Sequence, residues 1–157
     1  GVWHAIEYNI RLGVTTTALL LRMLKSPVKT LLQVVQNKTP LLEWHQEKKF
    51  GCTLTLAGYG YPYVISSVPK LPVEVLAPLK CDLWWNEVDE ENGEIFMANH
   101  QNFEMGHRIA DVNACSFKLD SAIELIENEI RKLRCLGSYY RLDLKDLSKK
   151  YSSILSP

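Results

Sequence analysis

The amino-acid sequence predicts an α+β fold, in which a strand and two helices lead into a run of short antiparallel strands closed by one packed helix. Three observations carry this. Apolar and polar residues alternate over 2–12 and again from Phe50, the period-2 pattern of strands with one buried face. Leucines and valines recur at helical spacing between Thr15 and Gln36. Ser121 with Glu124 three residues on reads as a capping box that opens a further helix.

The 157 residues amount to about one domain on the usual length prior. Eighteen Lys and Arg balance eighteen Asp and Glu, and 46% of residues are hydrophobic. That balance excludes wholesale disorder, which needs low hydrophobicity and a high net charge. It also speaks against a general nucleic-acid binder, which carries a basic excess. The most apolar stretch, from Ala18 to Leu24, is interrupted by Arg22, and no run approaches the ~18 residues that span a bilayer. Neither nucleic acid nor membrane is therefore expected as a partner. Cys52, Cys81, Cys115 and Cys135 show no short-range pairing and no zinc-type spacing. Sparse cysteines in a chain of this size favour reduced thiols, small buried side chains and a cytoplasmic setting.

The elements follow in order. In the first strand Ile6, Tyr8, Ile10 and Leu12 share one face, and Glu7, Asn9 and Arg11 share the other. The chain starts in what reads as mid-strand, like the back end of something longer. Thr15 or Thr16 caps a helix running to Lys25. Ser26-Pro27 opens a second helix to about Gln36, and residues 38–49 form a polar connector. A strand at Cys52–Ala57 breaks at Gly58-Tyr59-Gly60-Tyr61-Pro62, where the Tyr61-Pro62 bond is a candidate for cis. The proline-rich stretch 66–80 is expected to be irregular. Strands at Cys81–Val88 and Glu94–Ala98 flank an acidic turn, Asp89–Gly93, with the hairpin dipeptide Asn92-Gly93. His107–Ala114 is a further strand. The capped helix carries Ile123, Ile126, Ile130 and Leu133 on one face, a Glu127–Arg131 pair on its surface, and Gly137 as C-cap. A short helix, Leu144–Tyr151, ends the chain.

Glu7, Asn9 and Arg11 form the strongest chemical constellation. A carboxylate and a carboxamide two apart on a strand face offer hard oxygen ligands of the kind Mg²⁺ shares with phosphates. A guanidinium on the same face neutralises phosphoryl charge. A solvated polar strand face is the plainer reading of the pattern alone. The four histidines are scattered and read as surface or satisfied groups, and Asp89-Glu90-Glu91 as a solvated charge run. Trp84-Trp85 on a strand places one ring inward and one outward. Arg108 and Arg141 are able to meet a substrate phosphate, with ion pairing the plainer expectation.

The segment Ile6-Glu7-Tyr8-Asn9-Ile10-Arg11-Leu12-Gly13 resembles the Glu-x-Asn-x-Arg-x-Gly strand of ATP-grasp carboxylate–amine ligases, and most of all the phosphoribosylamine–glycine ligases. Leu21-Arg22-Met23-Leu24-Lys25-Ser26 is similar to that family's Leu-x-x-Leu-Lys-Ser junction. Ala57–Pro62 is similar to its Ala-x-x-Gly-Tyr-Pro turn, Gly106-His107-Arg108-Ile109 to its Gly-Gly-Arg-Val strand start, and Tyr140-Arg141-Leu142-Asp143 to its Tyr-Arg-x-Asp ending. These matches keep the family's order from Ile6 to Asp143.

The resemblance implies that residues 1–47 are the tail of an ATP-grasp domain. Residues 48–157 would be the small, mostly antiparallel β domain that follows it, with one packed helix. It implies Mg²⁺ on ATP, held by Glu7 and Asn9, with Arg11 near the transferred phosphate. The implied chemistry activates glycine as an acyl phosphate, which the amine of phosphoribosylamine attacks. The family's two strand-borne lysines and Gly-rich lid lie upstream of the Glu-x-Asn strand. The isolated chain is therefore expected not to catalyse ligation, and its expected partner is the missing N-terminal half, in cis or as a separate chain, besides small-molecule substrates. Val14-Thr15-Thr16 stands where the family has Asp-Pro-Glu, Tyr63-Val64-Ile65 lacks its further glycines, and Leu83-Trp84-Trp85-Asn86 replaces an Ala-Gly-Thr strand end. These departures mark a divergent relative. They keep open an ATP-grasp ligase for another carboxylate and amine, while the absent lysines and lid keep open a stand-alone non-catalytic binding module.

Overall fold

The computed structural model describes residues 12–63, 70–98 and 107–155, with side chains described to residue 150. The leading strand with Glu7, Asn9 and Arg11 lies outside them, as do Val64, Ile65 and Gly106. In chain order the elements are α1 (Val14–Met23), α2 (Pro27–Val35), a 3-10 turn (Gln46–Lys48), β1 (Phe50–Ala57), β2 (Pro72–Val75), β3 (Asp82–Trp85), β4 (Val88–Glu91), β5 (Glu94–Met97), β6 (Arg108–Ser116), α3 (Leu119–Ile130), β7 (Leu133–Arg134) and α4 (Leu144–Leu155). The mixed helix and antiparallel-sheet architecture is the one the sequence predicts.

Two sheets share one core. The first has the order β1-β6-β3 and the second β4-β5-β2-β7, with every neighbouring pair antiparallel. Leu54 lies opposite Val112 and Leu56 opposite Ala110, so one face of the first sheet is continuously apolar. Ile126 and Ile130 of α3 pack on that face, and Val73, Met97 and Leu133 of the second sheet complete the core. Burial of each such side chain contributes about 1.5–3 kcal/mol.

The opposite face of the first sheet is polar. Its cross-strand rows are Asp82–Asn113–Thr53 and Trp84–Asp111–Thr55. α1 covers one end of this face, and the absence of a side chain at Gly51 is what admits it. A Cβ there would lie 2.7 Å from Leu19 Cδ1 and 2.9 Å from Met23 Sδ.

Several local expectations are corrected. Gly13, not Thr15 or Thr16, precedes α1, and the Thr17 hydroxyl donates back to the Gly13 carbonyl oxygen at 2.5 Å. The stretch around Pro72 is not wholly irregular, because β2 is inserted between β5 and β7. Pro72 is tolerated there as the first residue of its strand. The acidic run is a strand, not a turn. Asp89–Glu91 pair with β5, and the turn narrows to Asn92-Gly93, at φ 53° and 81°. α3 starts at Leu119 behind Lys118, with no side-chain cap, so Ser121 lies inside its first turn and the capping box does not form. α3 also ends earlier, because Leu133 pairs with Val75 in β7. Gly137 is therefore not a helix cap, although its φ of 71° uses glycine's freedom in a turn. Glu127 accepts from Lys145 Nζ of α4 at 2.9 Å, where Arg131 was the expected partner.

Candidate functional site

The site is built where β1 ends. The β1–β6 register shifts between Leu56 and Ala57, and the Gly58 amide donates to the His107 carbonyl at 2.9 Å. Ala57 then exchanges two backbone hydrogen bonds with Tyr139, at 2.8 and 2.9 Å. This bridge draws the segment after β7 up to the end of β1. The Tyr139 hydroxyl donates to the Tyr61 carbonyl at 2.6 Å, beside the Tyr61-Pro62 bond, which is cis.

A groove of about 480 Å³ results, lined among others by Thr15, Thr55, Tyr61, Arg108, Tyr140 and Arg141. Thr55, which lines it, donates from Oγ1 at 2.5 Å to the buried Asp111 carboxylate, which also accepts from Asn86 Nδ2 at 3.0 Å. The Arg108 backbone amide donates to the Glu87 carboxylate. Arg141 makes a two-point contact with Asp143, at 2.9 and 2.8 Å. The Asp143 carboxylate raises the Arg141 pKa, and the Arg141 hydrogen bond lowers that of Asp143. Both side chains face solvent, so a competing anion meets little resistance from this pair. Two guanidinium-bearing residues beside tyrosines and a threonine hydroxyl suit a small substrate with an anionic group.

The structure thus brings together Tyr61, Arg108 and Arg141, which are far apart in sequence. Glu7, Asn9 and Arg11 lie outside the described residues. Among the described residues no three His, Cys, Asp or Glu side chains gather closely enough to hold a metal. His4 and His100 are likewise outside, His45 sits 3.1 Å from Glu47, and His107 is buried. Among the described residues all four cysteines are free thiols. Burial pushes Cys52 and Cys81 up to about 11, which leaves them poor nucleophiles. Trp84 is the outward ring and Trp85 packs against the core. Sequence reasoning missed Asp111 and Tyr139. The alternation Asp111-Val112-Asn113 was the available signal for the former, and Tyr139 had none beyond its place beside Tyr140-Arg141.

No family model matches this chain. It is 24% identical over 146 residues to the phosphoribosylamine–glycine ligase of Chlorobaculum tepidum, covering 92% of this chain and 33% of that protein. It is 27% identical over 158 residues to the enzyme of the same name from Fusobacterium nucleatum, covering 94% of this chain and 34% of that protein. The crystal structure of the Thermotoga maritima phosphoribosylamine–glycine ligase superposes with a TM-score of 0.69 at 20% identity, over 88% of this chain and 32% of that one. The fold is therefore shared with that protein. The resemblance seen in the motifs extends over nearly the whole chain, which spans about a third of the length of these relatives.

Proposed function

We propose that this chain is the C-terminal portion of an ATP-dependent carboxylate–amine ligase that joins glycine, or a similar small carboxylate, to a phosphoribosylamine-like amine. One observation carries the reading. The Tyr61-Pro62 turn, Arg108 and Tyr140-Arg141, each part of a motif that resembles one of the ligases, line a single groove. In this reading the groove is one wall of the substrate site, with Arg108 and Arg141 receiving a substrate anion. Residues 1–47 belong to the ATP-grasp domain and 48–157 to the domain after it, in a cytoplasmic enzyme.

Glu7 and Asn9 supply the two oxygen donors for Mg²⁺, which takes such donors together with nucleotide phosphates. Arg11 offsets charge on the transferred phosphoryl group. When bound, Mg²⁺ and ATP supply the activation of the carboxylate. This chain's residues bind and orient the reactants around them.

A second part of the enzyme, in cis or as a separate chain, completes the site. α2 supports this, since it turns Val28, Leu31, Leu32 and Val35 to solvent while burying Thr30. The 157-residue chain by itself does not turn over ATP. A ligase for another carboxylate and amine is the second reading, favoured by Thr15, which lines the groove in the stretch where the ligases carry two acids.

The test supplies the chain together with the N-terminal two thirds of a related ligase and follows Mg²⁺-dependent ADP release with glycine and phosphoribosylamine. Activity that needs both parts, and that falls at least tenfold in Glu7→Gln and Arg108→Ala, is the expected result. Activity only with another carboxylate would select the second reading. No turnover with any carboxylate would leave a non-catalytic binding module.

A further inference from the structure

Among the described residues, two arginines and no carboxylate line the groove, yet a buried carboxylate stands behind its wall. Asp111 is 3% exposed and lies opposite Thr55 in the β1–β6 register. Its Oδ1 accepts from Thr55 Oγ1 and its Oδ2 from Asn86 Nδ2, and both donors are neutral. Among the described residues no Lys, Arg or His side chain forms an ion pair with it. Buried charges are ordinarily paired with an opposite charge. A carboxylate held by neutral donors alone keeps its negative charge uncompensated, and at the low dielectric of a protein interior that charge acts on whatever lies beyond Thr55.

Thr55 belongs to both sides, because it lines the groove and donates inward to Asp111. A threonine hydroxyl has one proton and two lone pairs. With the proton committed to Asp111, its oxygen is left only to accept. A ligand atom that meets it is therefore a donor, and the buried charge behind favours a cationic donor over a neutral one. Arg108 and Arg141 make the opposite demand at the same groove. Ala57, two residues beyond Thr55 on β1, is the register partner of Arg108, and two residues of strand span about 7 Å. One small molecule with both charges can meet both ends.

We infer that Thr55 is a specificity-determining contact of the groove and Asp111 its positioning residue: Thr55 Oγ1 accepts from the ammonium group of a ligand whose anionic group meets Arg108 and Arg141. The inference rests on the reading of the groove as a substrate wall and deepens it. Asn86 holds the second oxygen of Asp111 and so fixes the carboxylate that orients Thr55. Thr15, in the stretch where the ligases carry two acids, brings no charge to this wall, and Asp111 supplies one from another element.

The experiment titrates the isotope-labelled 157-residue chain with phosphoethanolamine and with ethyl phosphate, near neutral pH and at matched ionic strength. Binding is read from the backbone amide shifts of Thr55, Arg108 and Tyr140. The two probes share the phosphate, and only phosphoethanolamine carries an ammonium group. The arginines alone favour ethyl phosphate, whose net charge is more negative. Phosphoethanolamine is nevertheless expected to bind roughly tenfold more tightly or better, the scale of a hydrogen bond to a charged group. Asp111→Asn and Thr55→Val are expected to bring the two affinities to about the same value, leaving that for ethyl phosphate within about twofold of the parent. Thr55→Ser keeps the hydroxyl and the preference. A merely structural loss would weaken both probes alike and leave their ratio unchanged. Should Asp111→Asn fail to fold, Thr55→Val, which keeps the side-chain shape, carries the test. Equal binding of the two probes by the parent, with both weakened in Arg108→Ala, overturns the inference and leaves the groove as an anion site. A preference that survives in Thr55→Val also overturns it. Binding of neither probe overturns the inference together with the groove reading on which it rests.

Discussion

The Tyr139 hydroxyl donates to the Tyr61 carbonyl at 2.6 Å, while the Tyr139 backbone pairs with Ala57. One residue therefore ties the segment that ends in Tyr140-Arg141 to both the end of β1 and the turn beyond it. Without this tie, two walls of the groove belong to independent loops. Tyr139→Phe keeps the ring and the backbone bridge but loses the hydroxyl bond. The expected cost in urea unfolding is about 0.5–1.5 kcal/mol. A larger effect is expected on any ligand of the groove, because the Tyr61-Pro62 turn loses its anchor. A stability loss above 3 kcal/mol would show that the hydroxyl does more than hold this turn.

Glu129 makes the fold sensitive to acid. Burial pushes its carboxyl pKa up, but the Lys132 ammonium and the Lys80 backbone N–H, which both bond it, outweigh burial and set it below the ordinary carboxylate value. A carboxyl whose folded pKa is depressed adds stability above its unfolded pKa, and that stability is lost as pH falls through the folded value. Urea unfolding at neutral pH and at steps below pH 4.5 is expected to show this loss. Glu129→Gln should flatten the acid limb. Glu129→Ala should cost about 2–3 kcal/mol at neutral pH, less than for a fully enclosed pair because Lys132 still reaches water.

Gly51 sets the distance between α1 and the sheet. Any Cβ there meets Leu19 and Met23, and Leu19 is buried. Gly51→Val is expected to cost about 1–3 kcal/mol, the usual range for overpacking. Hydrogen exchange should show the change confined to α1 and its contacts on β1 and β6. An unchanged α1 would mean that Met23 swings aside at no cost.

What was legible in the sequence follows from how far each interaction reaches. β1 and β6 announce themselves because Leu54, Leu56, Ala110 and Val112 alternate with polar neighbours over a long enough run to register. α3 is visible through Ile123, Ile126 and Ile130, but its ends are not. Leu133 continues the helical spacing, yet its pairing with Val75 claims it for a strand. β2 and β7 are too short to carry a period, and each exists only because a distant partner is there. The site behaves likewise. Tyr61-Pro62, Arg108 and Arg141 stand out as motifs, but their convergence depends on the Ala57–Tyr139 bridge, which has no local signature. Asp111 and Asn113 fall in the predicted strand His107–Ala114 without being singled out, and the structure buries both.

The apolar stripe of α2 provides the sharpest check on the proposed assembly. Val28, Leu31, Leu32 and Val35 stand at i, i+3, i+4 and i+7, the spacing of a helix face built to pack. Yet Val28 is 70% and Val35 81% exposed, and the residue α2 buries is Thr30, with its hydroxyl 3.3 Å from the Leu41 carbonyl oxygen. Leu41 and Leu42, just after the helix, extend the exposed apolar surface. Leu31→Lys with Val35→Lys removes half of the stripe and alters no core residue. The free chain should keep its unfolding free energy to within about 0.5 kcal/mol, as surface substitutions do. Association with the N-terminal two thirds of a related ligase, read by analytical ultracentrifugation, should fall at least tenfold. A free chain destabilised by 2 kcal/mol or more would mean that the stripe is already packed within this chain. Unchanged association would place the contact of the proposed assembly on another face.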